Sequence, residues 1–254
     1  MSLATFDFCD TNNIIKISGN EYTSHTLESF LKLIAKVTKK YENTNIKITG
    51  EFNSKLLVEN FISNKDNLAI DKLLSMFQLI SNTITNSNVT FISEINGIVQ
   101  GPAMEIALCC NFIKAEKKTS LKFDETSNGI IPFLGTVQRL TKLIGYKSSL
   151  QALLIDKKIT YEKALKLKLF NNDVDNLNNI EDKKFFWDQN FTNTFIFFNS
   201  KIHSIYKNKQ PAYNAILSII FESSVCDYEA SLSIEKRWLK WLINHELFSY
   251  APNV

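Results

Sequence analysis

Short apolar runs and longer stripes at helical spacing follow one another through the first half of the chain. Ile14-Ile15-Lys16-Ile17 and Ile46-Lys47-Ile48 predict short strands. Between them Leu27, Phe30, Leu31, Ile34 and Val37 share one face of an amphipathic helix. Ile70, Leu73, Leu74, Phe77 and Ile80 predict a second helix, ended by the Asn/Ser/Thr-rich run 81–88, whereas 53–66 has no clean period and predicts a loop. VTFISEI (89–95) predicts a strand, then a turn and a helix through about 111, and Phe112–Ala115 returns as a strand. Helices are predicted at 136–144, 148–155 and 160–169, the last with Thr160 as its cap and Glu162 in its first turn. Near the end Ile234, Trp238, Trp241 and Leu242 lie on one helix face.

Strands alternating with helices predict an α/β fold with a parallel sheet, followed by a mostly helical remainder. The expected division is an α/β core over 1–180 and a helical C-terminal subdomain over 181–254. No internal repeat and no GxGxxG, Walker or GxSxG motif is found. At 254 residues and 44% hydrophobic content the chain is long enough for a real core and unlike a disordered one. A net charge of +3 is too small and dispersed to imply nucleic acid, and the lysine pairs Lys39-Lys40, Lys117-Lys118 and Lys157-Lys158 read first as solvated faces. Cys109 and Cys110 lie in an apolar run and read as core residues of a reducing compartment; no CxxC or His/Cys cluster suggests a metal site. With neither a secretory signal pattern nor a run of about 18 apolar residues, a soluble, cytoplasmic protein is expected, with no membrane partner.

Five of the seven glycines and two of the four prolines fall between positions 97 and 145, where chain must turn tightly or approach a ligand. Within INGIVQGPAMEIALCCNFI (95–113) the one charged residue is Glu105. A helix apolar nearly all round is a buried one, and burial pushes a carboxyl toward the neutral form, which suits a general acid or base. The competing reading is a glutamate in the first turns, favoured by the helix dipole and pointing to water. Glu125 ends the Leu121/Phe123 alternation before the loop TSNGIIPFLG; taken alone it reads as an exposed turn carboxylate, and Asp124 likewise as solvated.

These residues carry a resemblance. INGIVQGPAMEIALCCNFIKAEKKTSL resembles the V-N-G, glycine-rich turn, E-L-A, C-D and A series of the crotonase superfamily, the enoyl-CoA hydratases and isomerases. ETSNGIIPFLGTVQRLTKLIGYKSSLQALLIDKKITYEKALKLKLFNN resembles its P-E, G, P, G-G-T-Q-R-L, I-G, A, G, A and G-L-V series. The C-terminal run from Asn208 is similar to the end of the hydratase region in bifunctional hydratase/3-hydroxyacyl-CoA dehydrogenases, without a dinucleotide fingerprint, so a hydratase module without dehydrogenase activity is expected. The resemblance implies a crotonase-like ββα spiral core with a helical C-terminal trimerisation part, and a homotrimer or hexamer. It further implies a lyase of fatty acid metabolism acting on an acyl-CoA, with no cofactor beyond the coenzyme A of the substrate and no metal. In such hydratases two glutamates hold one water and add it across a trans-2-enoyl thioester; they fall on Glu105 and Glu125.

The chain departs from that pattern at the oxyanion donors. One family donor is the N–H of a glycine at the helix N-terminus, and that position is Pro102, which has none. Losing one such donor typically costs about 2.7–4 kcal/mol. Ala103, beside Gly101 and Pro102, is the candidate for a shifted donor. The second donor, on a loop resembled by FNSKLLV (52–58), falls near Leu56, and Phe133 replaces a glycine in the acyl pocket. An isomerase or decarboxylase on an acyl thioester, or an impaired thioester-binding subunit, are the alternatives these departures leave open.

Overall fold

The computed structural model of the protein describes residues 2–57, 67–171, 189–207 and 210–245. It forms two compact units: Met1–Lys122 with Ile159–Asn178, and Phe123–Lys158 with Asn179–Val254. Residues 123–158 thus cluster with the C-terminal helices, although they precede position 180 in the chain. In chain order the first elements are β1 (Thr5–Cys9), β2 (Ile14–Ser18), β3 (Glu21–Tyr22), α1 (Ser24–Lys40), β4 (Asn45–Gly50) and β5 (Lys55–Leu56). Then come α2 (Asn67–Thr85), β6 (Thr90–Ile95), β7 (Ile98–Gln100), α3 (Gly101–Cys109), β8 (Phe112–Ala115) and β9 (Ser120–Lys122). They are followed by α4 (Thr136–Ile144), α5 (Tyr146–Leu150), β10 (Lys158–Thr160) and α6 (Tyr161–Lys166). Last are α7 (Gln189–Tyr206), α8 (Pro211–Ser223) and α9 (Tyr228–Asn244).

The first unit is built on a five-stranded sheet in the order β1-β2-β4-β6-β8. β1 and β2 form an antiparallel hairpin, and the other three pairings are parallel. Ile15 and Ile17 of β2 and Ile46 and Ile48 of β4 are buried, which accounts for the alternation read from the sequence. β6 buries Phe91, Ile92 and Ser93 in succession, the pattern of a strand covered on both faces. β1 is an edge strand whose Phe6 and Phe8 are only half-buried, so its apolar signal was too weak to register in the sequence. α1 opens on a capping box between Thr23 and Thr26, buries Leu27, Phe30, Ile34 and Val37, and packs on α2.

α2 continues to Thr85 and so ends inside the polar run 81–88 rather than at its start. Ser81 and Ile84 carry its stripe one turn further into the core, and the Thr85 hydroxyl donates to the Ser81 carbonyl at 2.8 Å. Polar side chains that bond back to their own helix stay compatible with it. Of the loop expected over 53–66, residues 53–57 are strand-like, with Asn53 bridged to Gln100 and β5 paired to β3; 58–66 lie outside the described residues. Thr160 caps α6 as expected, its hydroxyl accepting from the Lys163 N–H at 3.4 Å.

The second unit centres on α8, which buries Ala212, Tyr213, Ala215, Ile216, Leu217, Ile219 and Ile220 and packs against α4, α7 and α9. The helix expected at 148–155 is the end of α5 followed by a π-helical stretch, Gln151–Asp156. α9 buries Leu232, Glu235, Leu239, Leu242 and Ile243, so of the face expected from the sequence only Leu242 is fully buried: Trp241 is 44% exposed and Trp238 donates its indole N–H to Glu222 at 2.9 Å.

A buried carboxyl in this unit has a clear physical consequence. α4 begins on Gly135, which has no side chain to cap it, and Glu235 of α9 reaches the helix N-terminus instead, accepting from the Gln138 N–H at 3.4 Å. Loss of solvent around Glu235 pushes its pKa up to about 8, against the lowering effects of those amides and of Arg139. The neutral form is therefore favoured by folding: this group's contribution is fully present below the ordinary glutamate range and is lost as pH rises through about 8. Stability should fall by a few kcal/mol between about pH 5 and pH 9 on this account. Glu235→Gln, measured by urea denaturation across that range, should flatten the decline.

Candidate functional site

The chain leaves β7 at Gln100 in an extended conformation and turns at Gly101, whose φ of +69° starts α3. Pro102 sits in the first helical turn, where a fixed φ and a missing N–H are tolerated. Every residue from Pro102 through Cys109 is buried, because α3 packs on α2, β5, β6 and β7. Glu105 is consequently 0% exposed. The buried reading of this glutamate holds, and the solvent-facing one does not. At its far end α3 is tied to the sheet by the Ser93 hydroxyl, which donates to the Ala107 carbonyl at 3.3 Å.

The segment 52–57 runs beside this turn. Gln100 N–H donates to Phe52 O at 3.0 Å and Ser54 N–H to Gln100 O at 3.1 Å. On the opposite edge Lys55 N–H donates to Asn20 O at 2.9 Å and Leu57 N–H to Tyr22 O at 2.7 Å. Alternation along the strand therefore points the Leu56 N–H toward the same edge as that of Ser54, away from β3. Leu56 itself is buried.

The residue the sequence reading missed is Ser54. It is buried, and its Oγ accepts from the Ala103 N–H at 2.9 Å while donating to Gln100 O at 2.9 Å. Gln100, at the N-cap position, makes no side-chain cap, so a serine from another strand performs that function for α3. The Ala103 N–H, the candidate shifted donor, is thereby engaged by this hydroxyl. Only the hydroxyl type of Ser54, amid a segment without period, hinted at it.

In the second unit Glu125 opens a 3₁₀ turn, Glu125–Asn128, ended by Gly129 at φ +81°. The Glu125 carbonyl accepts from the Ile130 N–H at 3.0 Å, so the carboxylate's own backbone anchors the loop behind it. Glu125 is 9% exposed, not the solvated turn residue its local sequence suggests. Phe133, also buried, lies in the loop between this turn and α4. The site residues thus divide: Leu56, Gly101, Pro102, Ala103 and Glu105 belong to the first unit, Glu125 and Phe133 to the second.

Among the described residues there is no group of three or more His, Cys, Asp or Glu placed to hold a metal ion, and no helix long and apolar enough to cross a membrane.

Comparison with known proteins defines the class. A family profile described as enoyl-CoA hydratase/isomerase matches residues 62–236. The chain belongs to this family, within the crotonase superfamily. Over 94 residues it is 30% identical to the peroxisomal fatty acid beta-oxidation multifunctional protein AIM1 of Arabidopsis thaliana, a stretch covering 37% of this chain and 13% of that relative. Over 91 residues it is 35% identical to the fatty acid oxidation complex subunit alpha of Shewanella frigidimarina, covering 35% of this chain and again 13% of the relative. The matched stretch is thus a small part of these long proteins. The fold is shared with a crystal structure of enoyl-CoA hydratase from Bacillus halodurans, at a TM-score of 0.63 and 17% identity, over 97% of each chain. It is likewise shared with Pseudomonas aeruginosa DspI, at a TM-score of 0.56 and 17% identity, over 92% of each chain.

The turn at Gly101 yields a direct test. A Cβ there would lie 2.1 Å from the Ser54 carbonyl oxygen, in a left-handed conformation that side chains disfavour. Gly101→Ala should destabilise the protein by at least about 2 kcal/mol in denaturant unfolding, whereas alanine at Gly97, whose Cβ would meet nothing within 4 Å, should cost only about the 1 kcal/mol of its positive φ.

Proposed function

We propose that the protein is an enoyl-CoA hydratase, adding water to a trans-2-enoyl-CoA thioester with Glu105 and Glu125 as its acid–base pair. The observation that carries this reading is the complete burial of Glu105 in a helix that is otherwise apolar, inside the segment matched by the family. An ionisable side chain is costly to bury, and one kept at such a position serves chemistry more readily than packing. The burial of Glu125 supports the same reading, since hydration uses two carboxylates where isomerisation usually needs one.

The reaction requires one group to take a proton from water as its oxygen attacks the β-carbon. It requires a second to manage the proton delivered to the α-carbon. Glu105 and Glu125 are the two groups given these roles. Coenzyme A takes part as a piece of the substrate, and a homotrimer or hexamer is the expected assembly. The specific observation favouring a weakly active thioester binder instead is Pro102, which removes an amide donor from the first turn of α3.

The test is hydration of trans-2-enoyl-CoA substrates of several chain lengths by the purified protein. Wild type is expected to turn over, and Glu105→Gln to lose roughly 100- to 10,000-fold in kcat. Absence of turnover on every chain length, or an unchanged rate in Glu105→Gln, would remove the hydratase assignment.

A further inference from the structure

We infer that the Ser54 hydroxyl is the donor that takes the place of the missing Pro102 N–H, giving a hydrogen bond to the thioester oxygen as it gains negative charge. This inference rests on the reading of the protein as an enzyme acting on acyl thioesters.

Pro102 stands in the first turn of α3 and cannot donate, and the next amide, Ala103 N–H, is directed at Ser54 Oγ rather than into open space. For a substrate oxygen to take the Ala103 amide directly, Ser54 would have to leave, breaking that bond and its own donation to Gln100 O. A smaller movement achieves the same end. The hydroxyl hydrogen rotates from Gln100 O to the substrate oxygen while Oγ keeps accepting from Ala103. Gln100 O is not orphaned by this, because it retains the Ser54 N–H at 3.1 Å. Such a rotation leaves no backbone group at this turn newly unsatisfied.

The hydroxyl is also strengthened as a donor. An oxygen that accepts from an amide at a helix N-terminus carries a more polarised O–H, and bonds in such a chain reinforce one another where water is excluded. Ser54 is buried, and the close backbone approach at Gly101 holds it in register with the turn. No covalent step is involved; the serine donates a hydrogen bond that strengthens as the enolate-like oxygen develops. A donor of this kind contributes to kcat rather than to ground-state affinity.

The experiment compares Ser54→Ala and Ser54→Thr with wild type in two measurements on the full chain. One is steady-state hydration of trans-2-enoyl-CoA; the other is the near-ultraviolet difference spectrum of bound acetoacetyl-CoA, whose enolate oxygen probes the donor directly. Ser54→Ala is expected to lose roughly 100- to 1000-fold in kcat with KM changed by less than about threefold. It should also lose the enolate band, while Ser54→Thr, which keeps a hydroxyl, recovers at least about tenfold of the rate and part of the band. A cap function alone would lower the melting temperature of Ser54→Ala without removing the band. Retention of kcat and band in Ser54→Ala overturns the inference and leaves hydration standing. An enolate band in wild type that Ser54→Ala abolishes, without hydration of any enoyl-CoA, overturns the hydratase reading and supports the donor. A wild type with neither turnover nor band overturns both.

Discussion

The approach of residues 52–54 to the turn at Gln100–Ala103 is the constraint on which the arrangement of the first unit's candidate residues depends. Gly101 lacks the atom that would collide with the Ser54 carbonyl, so two backbone segments lie close enough for the Ser54 hydroxyl to reach an amide in the first turn of α3. That contact supplies the cap that Gln100 does not make, and it fixes where the helix begins. Four residues on from Gly101, Glu105 then points into the interior because every surrounding residue of the helix is buried. A helix start, a buried acid and an engaged amide are therefore consequences of one packing event.

The second unit solves a similar problem with a different group. Gly135 opens α4 with no side chain, and the carboxyl of Glu235, brought from α9, meets the helix amides. In both units a glycine at the start of a helix lets the chain turn sharply but leaves amide donors without a local acceptor. A side chain distant in sequence supplies it. The hydroxyl does so at little cost, since it is neutral and satisfied on both sides. The carboxyl does so at the expense of solvation, which is why Glu235 holds its proton into the neutral range.

Much of the core and the two candidate acids could be read from the chain. Ile15, Ile17, Ile46 and Ile48 alternate because their strands each bury residues of one parity, and that period survives in any sequence that keeps them buried. Glu105 stood out because a single charge in an apolar helix violates the pattern around it. Glu125 did not: its neighbours read as an exposed turn, and only its place in the superfamily pattern singled it out. β1 was invisible because its two phenylalanines, on an edge strand, are only half-buried, and the last turn of α2 because its polar Thr85 bonds back to the Ser81 carbonyl of the same helix.

What the amino-acid order determined by itself was periodicity, the places where proline and glycine break it, and the family pattern those places spell out. These are local properties, carried by side-chain size, backbone freedom and the presence or absence of an N–H, as at Pro102. Tertiary structure decided the rest: that Ser54 caps a helix forty-nine positions away, that Glu235 reaches α4, and that α9 buries Leu239 and Leu242 rather than Trp241. A hydrogen bond between distant residues leaves no period in the chain, because its strength depends on distance and burial, and both arise only when the elements pack.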